Sequence, residues 1–157
     1  MSAEKIKTEL AKQSFFKGLD DADLGFLAEN ACFRSLKEDD VLFRHGKRAN
    51  AFYLVTEGRI ALEVAAIEGP PLELQNLGPG AIIGWSWLIP PYEWHFQARA
   101  LEDAQLIQFD GDALFERCEK DPDFGYGLLK RFSGLMSERL SSAREKMMQE
   151  WNPPGFA

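Results

Sequence analysis

Between Ala3 and Ala31 the apolar residues Ile6, Leu10, Phe15, Phe16, Leu19, Leu24 and Leu27 recur at helical spacing, interrupted by "KGLDDAD". Asp20 or Asp21 there is suited to cap a helix N-terminus, so the pattern predicts two or three short helices. From Phe33 to Phe109 the texture changes to short apolar or alternating runs, among them "VLFRHG", "AFYLVTEGRIALEVAAI", "LELQNLGPGAII" and "HFQARALEDAQLIQF", parted by Gly, Pro and charged residues. Runs of this kind predict many short antiparallel strands. "TEG" after "AFYLV" reads as a hairpin turn into "RIALEV", and "EGPP" marks the next reversal. Strands recurring about every ten residues fit a sandwich or jelly roll.

Helical periodicity returns in "GDALFERCEKD" and in a longer stretch from Asp123 to Trp151, preceded by Asp121 as cap and Pro122 at the first helical position, with "NPPG" as the stop. Leu129, Phe132, Met136, Leu140, Ala143 and Met147 follow one another at steps of three and four, a heptad-like seam. Such a stripe either packs on the domain's own barrel or faces a partner. A helix of this length spans roughly 40 Å, further than a small barrel covers, so its distal half is expected to pair with a second copy of the chain.

With 157 residues, 45% of them hydrophobic, the chain suits one domain: helices over 1–32, a jelly roll over 33–110 and C-terminal helices over 111–151. A net charge of −7 argues against nucleic acid or an anionic membrane as partner. The charged N-terminus "MSAEKIKTELAKQ" is no signal peptide, and no run is apolar enough to span a membrane. Cys32 and Cys118, far apart, read as buried free thiols in a cytoplasmic protein. The two histidines, His45 and His95, are too few for a metal-dependent cupin or a catalytic triad, so neither a metal site nor catalytic residues are expected. His45 reads as a turn residue and His95 as a strand residue.

Four local patterns, in order, resemble the cyclic-nucleotide-binding domain of the catabolite-activator type. "FFKGLDDADLGFLAE" resembles that family's opening. "VLFRHGKRANAFYLVTEGRIALEV" resembles its hairpin, with Gly46 turning the chain, Phe52, Tyr53 and Leu54 in the next strand and Gly58 in the turn after it. "LQNLGPGAIIG" is similar to the stretch that leads into its phosphate-binding cassette. The resemblance implies a mainly β fold, a cupin-like double-stranded β-helix or jelly roll, with N-terminal helices and a long C-terminal helix. It also implies a possible ligand, cyclic AMP or cyclic GMP.

The family's cassette holds the ribose with a Glu and the cyclic phosphate with an Arg, and cradles the phosphate on backbone N–H groups of a short helical turn. Here Gly84 keeps its place, but Trp85 stands at the Glu position and Trp94 at the Arg position, followed by His95, Phe96 and Gln97. Losing a charge-assisted hydrogen bond removes about 1.5–3 kcal/mol. Three readings stay open. Trp85, Trp87 and Trp94 fill the pocket; or their rings line a site for another, less charged ligand; or the N–H groups of Ser86, Trp87 and Leu88, with His95 or Arg99, keep a weaker nucleotide site. Arg99, flanked by Ala98 and Ala100, is expected on a solvated strand face. The prolines of "IPPYEW" are expected to end the cassette's turn at Ile89 and deliver Trp94 on an extended loop.

The family's transcription regulators carry a helix-turn-helix after the long helix, whereas this chain ends at Ala157. The expectation is therefore a stand-alone regulatory or sensor module with an altered ligand site, acting on a separate effector protein, or else a ligand-free dimerising scaffold.

Overall fold

The computed structural model describes residues 2–65 and 67–150, and of Glu150 the backbone alone. Trp151 and the "NPPG" stop lie outside the described residues. Helix α1 (Ser2–Ala11), a 3-10 turn at Ser14–Phe16 and α2 (Asp21–Glu29) precede the strands. Asp20 is the cap of α2, its carboxylate accepting from the Asp23 amide at 2.8 Å. Eight strands follow: β1 (Ala31–Leu36), β2 (Val41–Phe43), β3 (Ala51–Glu57), β4 (Ile60–Val64), β5 (Leu72–Leu77), β6 (Ile82–Ile83), β7 (Gln97–Ala100) and β8 (Ala104–Asp110). Then come α3 (Gly111–Lys120) and α4 (Pro122–Glu150). Asp110 caps α3 through the Ala113 amide, and Asp121 caps α4 through the Phe124 amide, with Pro122 at the first helical position, where its missing N–H costs nothing.

The strands form two four-stranded sheets in the orders β1-β8-β3-β6 and β2-β7-β4-β5, the arrangement of a jelly roll. Every pairing is antiparallel. The roll begins at Ala31, two residues before the expected Phe33. "EGPP" does reverse the chain between the paired β4 and β5.

"TEG" is not a hairpin. Both edges of β3 are taken by β8 and β6, so β4 pairs in the other sheet and Gly58 turns the corner between them. Its φ is +86°, and a Cβ there would lie 2.5 Å from the Asp103 carbonyl oxygen, on the turn that makes the reverse crossing from β7 to β8. Only glycine accepts both the conformation and the approach.

β3 is buried on both faces. Phe52 points to the helices, stacked on Phe109 at 4.2 Å with Phe132 of α4 edge-on at 5.1 Å, and Tyr53 faces Phe43 and Trp94. The thiols depart from expectation: Cys32 is exposed on β1, an edge strand, and Cys118 is half-buried on α3, where burial pushes its thiol up to about 11.

Candidate functional site

The cassette starts at Gly84, whose φ of +100° turns the chain out of β6 and whose missing side chain leaves room for Trp94. A Cβ there would lie 2.8 Å from Trp94 Cζ3. Trp85 O accepts from the Leu88 amide and Ile89 O from the Tyr92 amide, so two tight turns replace any helical cradle and one of the three candidate N–H donors is already used. The chain then runs to Trp94 against the 46–49 segment: Trp94 donates to Lys47 O at 2.9 Å, Gly46 donates to Trp94 O at 2.8 Å, and Ala49 donates to Tyr92 O at 2.7 Å.

That pinned backbone sends the Trp94 ring inward. It is 5% exposed and lies face to face with Phe43, centroids 3.7 Å apart and planes 9° from parallel. Trp87, 3% exposed, stacks on Phe52 at 5.4 Å and meets the edge of Phe132; its indole Nε1 is buried without a partner. Trp85 is half-buried, edge-on to Phe96 at 6.0 Å, and Ser86 is buried. The three indoles thus occupy three separate places. Trp94 is inside the roll, Trp87 lies between the roll and α4, and Trp85 sits at the rim beside Phe96.

The residues expected around the phosphate divide in the same way. His95 is exposed in a bend before β7 rather than within a strand. Gln97 donates to Glu63 Oε1 at 2.9 Å and accepts from Arg44. His45, His95, Glu63 and Gln97 line a cleft of about 310 Å³, but among the described residues no group of His, Cys, Asp or Glu is placed to hold a metal ion.

Arg99 is on the outward face of β7 and half-buried, but its charge is not left to solvent. Its Nε and Nη2 fork onto the two oxygens of buried Glu63 at 3.0 and 3.2 Å, and its Nη1 donates to Asp39 at 2.8 Å. The Arg99 hydrogen bonds hold the Glu63 carboxyl below the usual carboxylate range, against the opposing effect of burial. This cation is committed to two carboxylates and has no fork left for a ligand. A stabilisation that rests on a lowered carboxylate pKa is present above the unfolded value, about 4.3, and is lost as pH falls through the folded one. Arg99→Met is therefore expected to lower stability by about 2–3 kcal/mol at pH 7, with the gap to the parent closing below about pH 4. Urea unfolding at the two pH values measures it, and equal stability at pH 7 would refute it.

One further cation lies beside the cassette, and the sequence reading passed over it. The buried stripe of α4 runs Phe124, Leu128, Phe132, Leu135 and Arg139. Arg139 is 9% exposed, donates from Nη2 to the carbonyl of Ile82, and has its guanidinium carbon 5.9 Å from the Trp85 ring centroid. Its Nη1 has no partner, and burial pulls the group down to about 10, so it stays protonated at neutral pH. The signal was available: Arg139 stands four residues beyond Leu135 and seven beyond Phe132, on the apolar face.

The expected seam on α4 needs one correction. Phe132 is fully buried against Phe15, Phe52 and Trp87 and offers nothing to a partner, because it lies on the stripe facing the roll. Leu129, Leu140 and Met147 are exposed, Met136 and Ala143 are half-buried, and Tyr126 joins them on the outside.

A family model described as the cyclic nucleotide-binding domain matches residues 33–121. The chain belongs to that family. This cyclic nucleotide-binding domain is similar to a putative cyclic nucleotide-binding protein from Geobacter metallireducens, with 26% identity, a TM-score of 0.77 and coverage of 89% of this chain and 98% of that one. It shares its fold with a cyclic nucleotide-binding domain from Methylobacillus flagellatus (18% identity, TM-score 0.79, 98% and 86% covered). The N-terminal domain of a transcriptional regulator from Streptomyces coelicolor also has this fold (24% identity, TM-score 0.66, 94% and 99% covered). No curated protein matches the sequence. No described helix is long and apolar enough to cross a membrane.

Proposed function

We propose that this cyclic nucleotide-binding domain is a regulatory sensor module whose phosphate subsite is closed to cyclic AMP and cyclic GMP. The observation that carries the reading is Trp94 at the position of the family's phosphate-binding Arg, with its ring stacked on Phe43 inside the roll. An indole offers one N–H and no charge, while a cyclic phosphate stripped of water needs its negative charge met. The nearby Arg99 is held by Glu63 and Asp39, and His95 is exposed, so neither takes over the phosphate.

The module pairs with a second copy through the outer face of α4 and acts on a separate effector protein. Its net charge of −7 disfavours nucleic acid as that partner. Two free thiols, one of them exposed, suit a reducing compartment, and we place the protein in the cytoplasm. The second reading, a ligand-free dimerising scaffold, is favoured by the burial of Trp94 inside the roll and of Trp87 between the roll and α4.

Calorimetric titration with cyclic AMP and cyclic GMP, together with tryptophan emission, is expected to show no saturable change up to about 1 mM, a binding free energy no better than about −4 kcal/mol. Micromolar affinity for either nucleotide would overturn the closed subsite.

A further inference from the structure

We propose that the groove between α4 and strands β5 and β6 binds a small amphiphilic organic monoanion, whose charged group pairs with Arg139. This rests on the sensor reading and names the kind of molecule sensed. The groove measures about 470 Å³, within the range of small-molecule sites, and is lined by Gln75 and Leu77 of β5, Ile82 of β6, and Leu135, Arg139 and Ser142 of α4. Its walls combine apolar side chains with a few hydrogen-bonding groups and one buried cation.

The cation is the deciding feature. A guanidinium taken out of water costs several kcal/mol unless a counter-charge and hydrogen bonds replace its hydration. Arg139 has one carbonyl partner and a free Nη1. The neighbouring Arg131 is already committed, giving Nε to Phe15 O, Nη1 to Gly127 O and Nη2 to Lys17 O. Lys146, further along α4, donates to Glu73 O. Of the cations beside this groove, Arg139 is therefore the one with an unmade hydrogen bond, and the exposed Glu138 is the charge that acts on it. Glu138 lines the same groove, exposed on the helix, and its negative field favours a monoanion over a dianion. Leu77 and Leu135 supply the surface for an apolar body, and Trp85, packed by the guanidinium, reports on the event.

The test uses 2-naphthoate and its uncharged analogue 2-naphthamide, followed by calorimetry and tryptophan emission. The parent is expected to bind naphthoate at least about tenfold more tightly than naphthamide, the ratio that one charge-assisted pair confers. In Arg139→Met, which keeps the apolar stem, the ratio falls to about one. Gly134→Phe fills the groove where a Cβ meets nothing within 4 Å, and is expected to abolish binding of both compounds while the fold persists. Inorganic phosphate, lacking an apolar body, leaves naphthoate binding unchanged. Equal affinity for the two compounds, no binding of either, a ratio indifferent to Arg139→Met, or competition by phosphate would each overturn the proposal. Micromolar cyclic AMP binding that survives in Arg139→Met, beside an Arg139-dependent preference for naphthoate, would sink the closed phosphate subsite and leave the groove standing. Silence from naphthoate and from both nucleotides would sink the groove and leave the closed subsite standing.

Discussion

Trp94→Ala is expected to lower the free energy of unfolding by about 3–5 kcal/mol, the cost of truncating a buried aromatic together with the cavity it leaves. The cost should fall in the upper part of that range, because the site cannot collapse. The main chain on either side of the missing ring stays tied to Lys47 and Gly46, and the opposite wall is Gly84, whose own conformation is fixed by a φ of +100°. Phe43 would lose the face on which it lies at 3.7 Å, and Tyr53 a second neighbour. Trp94→Arg, which restores the residue type that the family uses for phosphate, should be worse still, since it places a charge beside Phe43 and Tyr53 in the interior of the roll. Urea titration gives the answer from the midpoint at unchanged slope. A loss under about 1 kcal/mol would show that the ring is not part of the core.

A second large effect is expected at the outer face of α4. Leu140→Glu combined with Met147→Glu should weaken self-association more than about a hundredfold, because a symmetric pairing buries each new charge twice and each unpaired burial costs on the order of 1–3 kcal/mol. The folded monomer should barely notice. Leu140 is 72% and Met147 62% exposed within one chain, and surface changes of this kind stay within about 0.5 kcal/mol. The contrast separates a contact between copies from packing within the domain. Sedimentation at high micromolar concentration should give a dimer for the parent and a monomer for the variant. A monomeric parent, or a dimer indifferent to both charges, would end the proposal.

What could be read from the chain and what could not divide along one physical line. Signals confined to a few neighbouring residues came through: the caps Asp20 and Asp121, the turn glycine Gly46 and the reversal at "EGPP"; the extended loop expected beyond Ile89 did not, because the chain turns again from Ile89 to Tyr92. Signals whose meaning depends on distant partners did not. Gly58 has the local look of a hairpin turn, yet whether β4 continues the sheet of β3 depends on β8 and β6 having claimed both of its edges. The spacing of apolar residues on α4 fits two adjacent stripes, and nothing local says that Phe132 belongs to the inner one. Arg99 looks like a surface residue until Glu63, brought across from β4, is seen to be buried beneath it. The substitution of Trp94 for the family's Arg was legible, but the direction in which its ring points was set by hydrogen bonds to Lys47 and Gly46, far away in sequence.

The pairing of β1 with β8 has a consequence for how the chain is made. Ala31 lies opposite Phe109 and Leu36 opposite Ala104, so the first strand of the roll finds its neighbour only in the last. Loop closure over so long an interval is entropically costly and slow, and during synthesis it must wait until the polypeptide through Asp110 has left the ribosome. Until then β1 is an unpaired strand with Cys32 and Phe33 on display, and the nascent chain carries an open, aggregation-prone edge for as long as β8 is still to emerge.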